Sequence, residues 1–244
     1  MKEMLYEIPI NDAFDKNCGC PMCYLHNSLT RDTVEFTMGP SYMEDDVRMQ
    51  TNRLGFCREH VSMLYGHGNR LGLALMLKTH MDEVIDKVEA AQKEGRAASG
   101  GFLKKKTAEN PVSAYLLTQK ESCFMCERIN RIFDRYLATV FYMYTHDPGF
   151  KGKLEKSKGL CMEHYRLLYE LAPQHLKGKD LENFTHDIDE VFLSNLKETR
   201  DDVDWYTRKF DYRFKDEPWK NAKDSIQRAM EKTASLYYDG NEDP

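Results

Sequence analysis

The chain has 244 residues and a formal charge of −5, from 35 basic and 40 acidic side chains, with 41% hydrophobic and 31% charged residues. That is enough apolar material to bury a core, which excludes wholesale disorder. No apolar run approaches the roughly 18 residues a membrane-spanning helix needs.

Further exclusions come from the termini and charge runs. Glu3 and Glu7 stand where a signal peptide would need an apolar stretch, so a cytoplasmic protein is expected. The longest basic run, Lys104-Lys105-Lys106, is too short for a general phosphate-binding surface and argues against nucleic acid.

In chain order, Asn11 or Asp12 caps a short helix running into Cys18. Apolar residues at 25, 29, 34, 36 and 38 suit a second helix, which Gly39-Pro40 interrupts. Helical character resumes over 45–53 and gives way at Gly55. A long helix follows His60, with Leu73, Leu77, Met81, Val84 and Val88 on one stripe. Glu94 to Gly101 has the composition of a flexible linker, placed at 94–111.

The second half opens near Val112, and a stripe from Ile129 through Phe133, Leu137 and Phe141 predicts another helix. His146-Asp147-Pro148-Gly149 breaks it. A helix then starts at Cys161 and ends near Ala172-Pro173. One long helix follows over 181–210, then a turn at Lys215 to Trp219 and a last helix over 222–238. Strand alternation is nearly absent, so the fold class is all-α, with seven to ten helices.

Six of the seven cysteines fall into two sets of one form. Cys20-Pro21-Met22-Cys23 is followed by Gly55-Phe56-Cys57-Arg58-Glu59-His60, and Cys123-Phe124-Met125-Cys126 by Gly159-Leu160-Cys161-Met162-Glu163-His164. First to third cysteine is 37 residues in one set and 38 in the other, and the C-x-E-H-x-x-x-L-Y motif recurs at an offset of 104. This reads as an internal duplication giving two homologous lobes. The expected organisation is a first lobe over 1–93, the linker, a second lobe over 112–178 and C-terminal helices over 179–244.

Three thiols and one imidazole make a closed tetrahedral zinc site. A C-x-x-C grips an ion from one side of a turn, and a C-x-x-H places its two ligands on one face of a helix's first turn. The helix N-terminus favours the thiolate form. The expectation is two zinc ions per chain, each within one lobe: Cys20, Cys23, Cys57 and His60 in the first, Cys123, Cys126, Cys161 and His164 in the second. Sulfur-rich sets of this kind also suit an iron–sulfur cluster, the alternative for the metal.

Glu59 and Glu163 adjoin presumed ligands, but a closed site leaves no open position for a catalytic water, and they point about 100° away on a helix. No catalytic residue is assigned, and no phosphate-loop, dinucleotide or hydrolase motif is present. Cys18 has no counterpart in the second set and reads as an incidental thiol, or as an alternative ligand or a redox partner for Cys20. Tyr42, Glu44 and Arg48 lie in a loop between the two halves of the first set and are a candidate ligand or partner contact.

The runs Asn52-Arg53-Leu54-Gly55-Phe56-Cys57, Asn69 to Met76 and Phe210 to Trp219 resemble an uncharacterised bacterial family, a domain of unknown function, over essentially the whole chain. The resemblance implies the paired cysteine motifs and supplies no activity. The functional expectation is therefore an adaptor or regulatory protein with an unknown protein partner. Its rival is a thiol-based redox or metal sensor holding labile zinc or an iron–sulfur cluster, and an enzyme using an inter-lobe cleft is a weaker third.

Overall fold

A computed structural model describes residues 6–99 and 110–237, and the order of α-helices among them is α1 Glu7–Asp15, α2 Pro21–Met38, α3 Asp45–Leu54, α4 Arg58–His67, α5 Arg70–Ser99, α6 Pro111–Glu121, α7 Phe124–His146, α8 Phe150–Lys156, α9 Met162–His175, α10 Gly178–Arg208 and α11 Ser225–Ala234. No strand occurs among the described residues, so the all-α expectation holds. No helix among them is long and apolar enough to cross a membrane.

The helix boundaries show where local signals were missed or outweighed. The long helix expected after His60 is split at Gly68, whose φ of +97° ends α4 in the left-handed region that glycine adopts freely. α6 was not anticipated, although its start is well marked: Asn110 accepts from the amides of Val112 and Ser113, and Pro111 occupies the first helical position. α8 is likewise an addition to the expected order. α5 continues through Glu94 to Ser99, into the front of the expected linker. Ala97 and Ala98 favour helix, and a single glycine at 95 costs only about 1 kcal/mol. The rest of that linker, 100–109, falls outside the described residues. The last helix is shorter than the expected 222–238: α11 starts at Ser225 and ends at Ala234, where Ser235 turns into the left-handed region at φ +57°.

The chain divides into two compact units. Unit 1 is Met1–Ser28 together with Ile132–Pro244, and unit 2 is Leu29–Arg131. These units do not follow the sequence-order lobes, because the boundaries fall inside α2 and α7.

In unit 2, α3 and α6 pack along α5. Buried Met38, Val47, Leu54, Leu64, Leu73 and Met76 supply its core. Arg48 joins α3 to α5 by donating to the Leu75 carbonyl at 3.1 Å and to Thr79 Oγ1 at 2.9 Å, and His80 Nδ1 meets the Asn52 carbonyl at 2.7 Å.

In unit 1, α10 packs with α8, α9 and α11. Phe141, Phe150, Phe184 and Ile188 are fully buried. The Phe184 ring lies 5.1 Å from Phe141 and 4.9 Å from Tyr144. Tyr144 donates to buried Asp187 at 2.5 Å, which Lys151 also meets at 3.0 Å, so this carboxylate is paired inside the core. After α10 the chain wraps around Lys209, whose ammonium donates to the carbonyls of Phe214, Lys215 and Glu217, while Trp205 Nε1 donates to the Pro218 carbonyl. That wrapping accounts for the Phe210–Trp219 run as a structural tail.

Candidate metal centres

Each unit gathers one group of four residues that could hold a metal ion. In unit 1 the group is Cys20, Cys23, Cys161 and His164, and in unit 2 it is Cys57, His60, Cys123 and Cys126, with all ligand atoms of a group within 4.8 Å of one another. All eight residues expected as ligands therefore fall in these two groups, but the expected partition is overturned. The C-x-x-C of each sequence set meets the C-x-x-H of the other set. Neither Cys20 and Cys23 with Cys57 and His60, nor Cys123 and Cys126 with Cys161 and His164, forms a group.

The physical reason lies in helix length. Each C-x-x-C opens a long helix: α2 has 18 residues and α7 has 23. At 1.5 Å per residue these carry the chain about 27 and 34 Å away from their own cysteines. The next helices, α3 with 10 residues and α8 with 7, reach only about 15 and 10 Å and do not lead the chain back.

The local geometry repeats from one site to the other. Cys57 and Cys161 are the N-cap residues of α4 and α9, with φ, ψ of −70°, 166° and −79°, 164°. Each presents its thiol beside the histidine three residues on. One turn further, Leu64 and Leu168 are fully buried and anchor the two helices. Gly55 and Gly159, two residues before these cysteines, adopt φ of +59° and +81°, where a side chain would be strained. Cys20 and Cys123 stand immediately before α2 and α7, and the Met between the two cysteines, Met22 or Met125, is fully buried.

The distances suit a tetrahedral ion. With zinc–sulfur bonds of about 2.3 Å and zinc–nitrogen bonds of about 2.05 Å, a tetrahedron has S···S edges of about 3.8 Å and S···N edges of about 3.6 Å. In unit 1, His164 Nδ1 lies 3.1 Å from Cys161 Sγ, 3.3 Å from Cys23 Sγ and 3.6 Å from Cys20 Sγ, and Cys23 and Cys161 are 3.5 Å apart. In unit 2, His60 Nδ1 lies 3.2, 3.3 and 3.5 Å from Cys57, Cys126 and Cys123, and Cys57 and Cys126 are 3.9 Å apart. Both groups fit one cation held by three sulfurs and Nδ1, and among the described residues neither group gathers a fifth Cys, His, Asp or Glu.

The proton chemistry agrees. Hydrogen bonds from Cys20 and Cys23 hold the Cys161 thiol far below its ordinary range, while Cys23, as the donor, is pushed well above it. Burial opposes charge on His164, but hydrogen bonds to Cys161 and Cys20 prevail and raise it to about 10. In unit 2 burial, aided by Cys123 and Cys57, lifts Cys126 to about 12, and burial holds His60 below its usual value, in the neutral form that ligates metal. A divalent cation entering either cluster would displace the protons it holds.

The supports around the two sites differ. In unit 2 the ligand segments are tied directly: Phe124 N donates to the Gly55 carbonyl at 3.0 Å, and Ser122 Oγ to the Leu54 carbonyl at 2.8 Å. In unit 1 the tie comes from α11. Lys232, 3% exposed, donates to the Gly19 carbonyl at 2.6 Å and to the Lys158 carbonyl, one on each ligand-bearing segment. Ser235 Oγ donates to Cys161 Sγ at 3.3 Å. These contacts were not anticipated. No local pattern marks Lys232: only in the structure does it share a buried helix face with Ser225, seven residues earlier. The sites also differ in access: all four unit 1 ligands are buried, whereas Cys57 and Cys126 are partly exposed.

The remaining sequence candidates sit elsewhere. Cys18 Sγ faces the Ala13 carbonyl at 3.9 Å, and burial raises its pKa to about 11, the opposite of a reactive thiolate. Glu163 is exposed and paired with Arg166 at 2.7 Å. Glu59 is exposed as well. The guanidinium of Arg48 is taken up by α5, Tyr42 lies against Gly72 of the same helix, and Glu44 is exposed at the start of α3.

A family model described as a family of unknown function, DUF6062, matches residues 1–240, and the chain belongs to that family. No curated protein and no solved structure matches it.

Proposed function

We propose that this member of the family is a zinc protein with two structural Cys3His centres, acting as a cytoplasmic adaptor or regulatory binding protein. The observation that carries the reading is the convergence of eight ligands into two groups at tetrahedral separations, each with one C-x-x-C and one C-x-x-H at helix N-termini. Zinc is favoured because it takes four-coordinate sulfur and nitrogen sites without a geometric preference of its own. Each ion would bind the start of one helix to the start of another, and structural zinc in small motifs contributes about 10–16 kcal/mol of apparent binding energy to folding. The repeated cap geometry of Cys57 and Cys161 supports descent from a duplicated unit. The crossed pairing then resembles what two copies of one unit would form by exchanging their halves.

One observation favours the sensor reading for unit 2 alone. Partly exposed Cys57 and Cys126 would let metal exchange or oxidation begin there while the buried unit 1 site stays closed. The experiment for both readings is elemental analysis with a visible spectrum on protein purified without air. Two zinc per chain and no colour support structural zinc. Iron with sulfide and a visible band replaces it with a cluster-based sensor.

A further inference from the structure

Unit 1 contains two adjoining polar clefts, of about 790 and 430 Å³, that share Lys16, Asn17 and Lys158. Their lining runs against the charge of the chain. The larger carries six cations and three carboxylates (Glu198, Asp224 and Glu231), and the smaller adds Lys153, Lys156 and Asp15. Eight cations against four anions leave +4 along one continuous depression, on a chain whose total is −5.

Some of these charges are spent. Arg228 pairs with Asp202 and Asp224, and Lys153 with Asp15. Among the described residues, Lys156, Lys158 and Lys223 make no ion pair. Lys16 and Lys220 lie over the rings of Tyr24 and Trp205 at 4.3 and 4.0 Å, a contact that leaves their N–H donors available to a ligand. At the base of the larger cleft, buried Lys232 has three donors, two of which go to carbonyls. Apolar lining side chains are few, so nothing here selects an apolar ligand.

We propose that this depression binds a small soluble molecule carrying two or more phosphate groups. Lysines without counter-ions spread over both clefts, Lys156 in the smaller, Lys223 in the larger and Lys158 in both, neutralise several separated anionic groups better than one, and the volume suits a small molecule. The inference stands on charge and shape and does not depend on metal in the cysteine groups.

The test is calorimetric titration of the zinc-loaded full chain with inorganic tripolyphosphate, with ATP as a second arm and sulfate as the control. Zinc content is measured before and after, so that chelation is not read as binding. Saturable binding of tripolyphosphate, and at least tenfold weakening in Lys158→Glu/Lys223→Glu with circular dichroism unchanged, is the expected result. Lys78→Glu, which breaks an exposed pair with Asp82 on α5, leaves the affinity as it was. If ATP binds more tightly than tripolyphosphate, a nucleotide is the source of the phosphates. If tripolyphosphate is the tighter, an inorganic or non-nucleotide polyphosphate is. Absence of saturable binding at millimolar concentration overturns the proposal, as does equal affinity of the double variant. Length-dependent binding of a single-stranded oligonucleotide that tripolyphosphate does not displace would also overturn it, in favour of nucleic acid.

Discussion

Replacing Lys232 by methionine removes the one side chain that ties both ligand segments of the unit 1 site to α11. A hydrogen bond from a charged group contributes about 1.5–3 kcal/mol, so the two bonds to the Gly19 and Lys158 carbonyls have a gross worth of about 3–6 kcal/mol. Burial opposes the ammonium charge and holds the Lys232 pKa below the usual lysine range, and methionine escapes that cost. The net loss is about 2–4 kcal/mol. For a chain of this size 1 kcal/mol moves the midpoint by about 2–4 °C, so unit 1 should melt roughly 4–16 °C lower. Both tryptophans, Trp205 and Trp219, belong to unit 1, so their fluorescence follows that unit selectively. Lys232→Met melting within a degree of the parent would refute the idea that α11 braces this site through its lysine.

The other expectations concern backbone, core and access. Gly55→Ala should cost about 2–4 kcal/mol, because the residue has φ +59° and ψ −153°, open only to glycine, and a Cβ would lie 2.5 Å from His80 Nε2. Gly68→Ala, with φ +97° and open space around it, should cost about 1 kcal/mol, and urea midpoints of the two variants compare them. Phe184→Ala leaves a cavity among the Phe141 and Tyr144 rings and should lower unit 1 stability by about 3–5 kcal/mol in the same tryptophan-monitored melt. Under a limiting chelator and a thiol alkylator, mass spectrometry should find Cys57 and Cys126 labelled before Cys20, Cys23 and Cys161. The reverse order would mean that burial does not govern access.

Fold class and the residues that make up the two clusters were legible in the sequence because both are local. Stripes such as Ile129, Phe133 and Leu137 mark a helix by their spacing alone, and a C-x-x-C or C-x-x-H needs only a few residues to present its ligands. The pairing of those motifs was not legible. The intervals Cys23 to Cys57 and Cys126 to Cys161 are nearly equal, so spacing does not distinguish pairing within a set from pairing across sets. What decides is where α2 and α7 deliver the chain, a property of helix lengths and packing. The same limit hid Lys232, which acts on residues more than 70 positions away. α6 was missed for a different reason: Asn110-Pro111 reads as the close of a linker as readily as a cap and first turn.

The most direct test of the crossed pairing is the metal content of two double variants by native mass spectrometry. Cys57→Ser/Cys126→Ser removes two ligands from one site and should retain one zinc per chain, whereas Cys23→Ser/Cys57→Ser damages both sites and should retain none. The opposite pattern, with zinc kept in the second variant and lost from the first, would mean that each site is built within one sequence set.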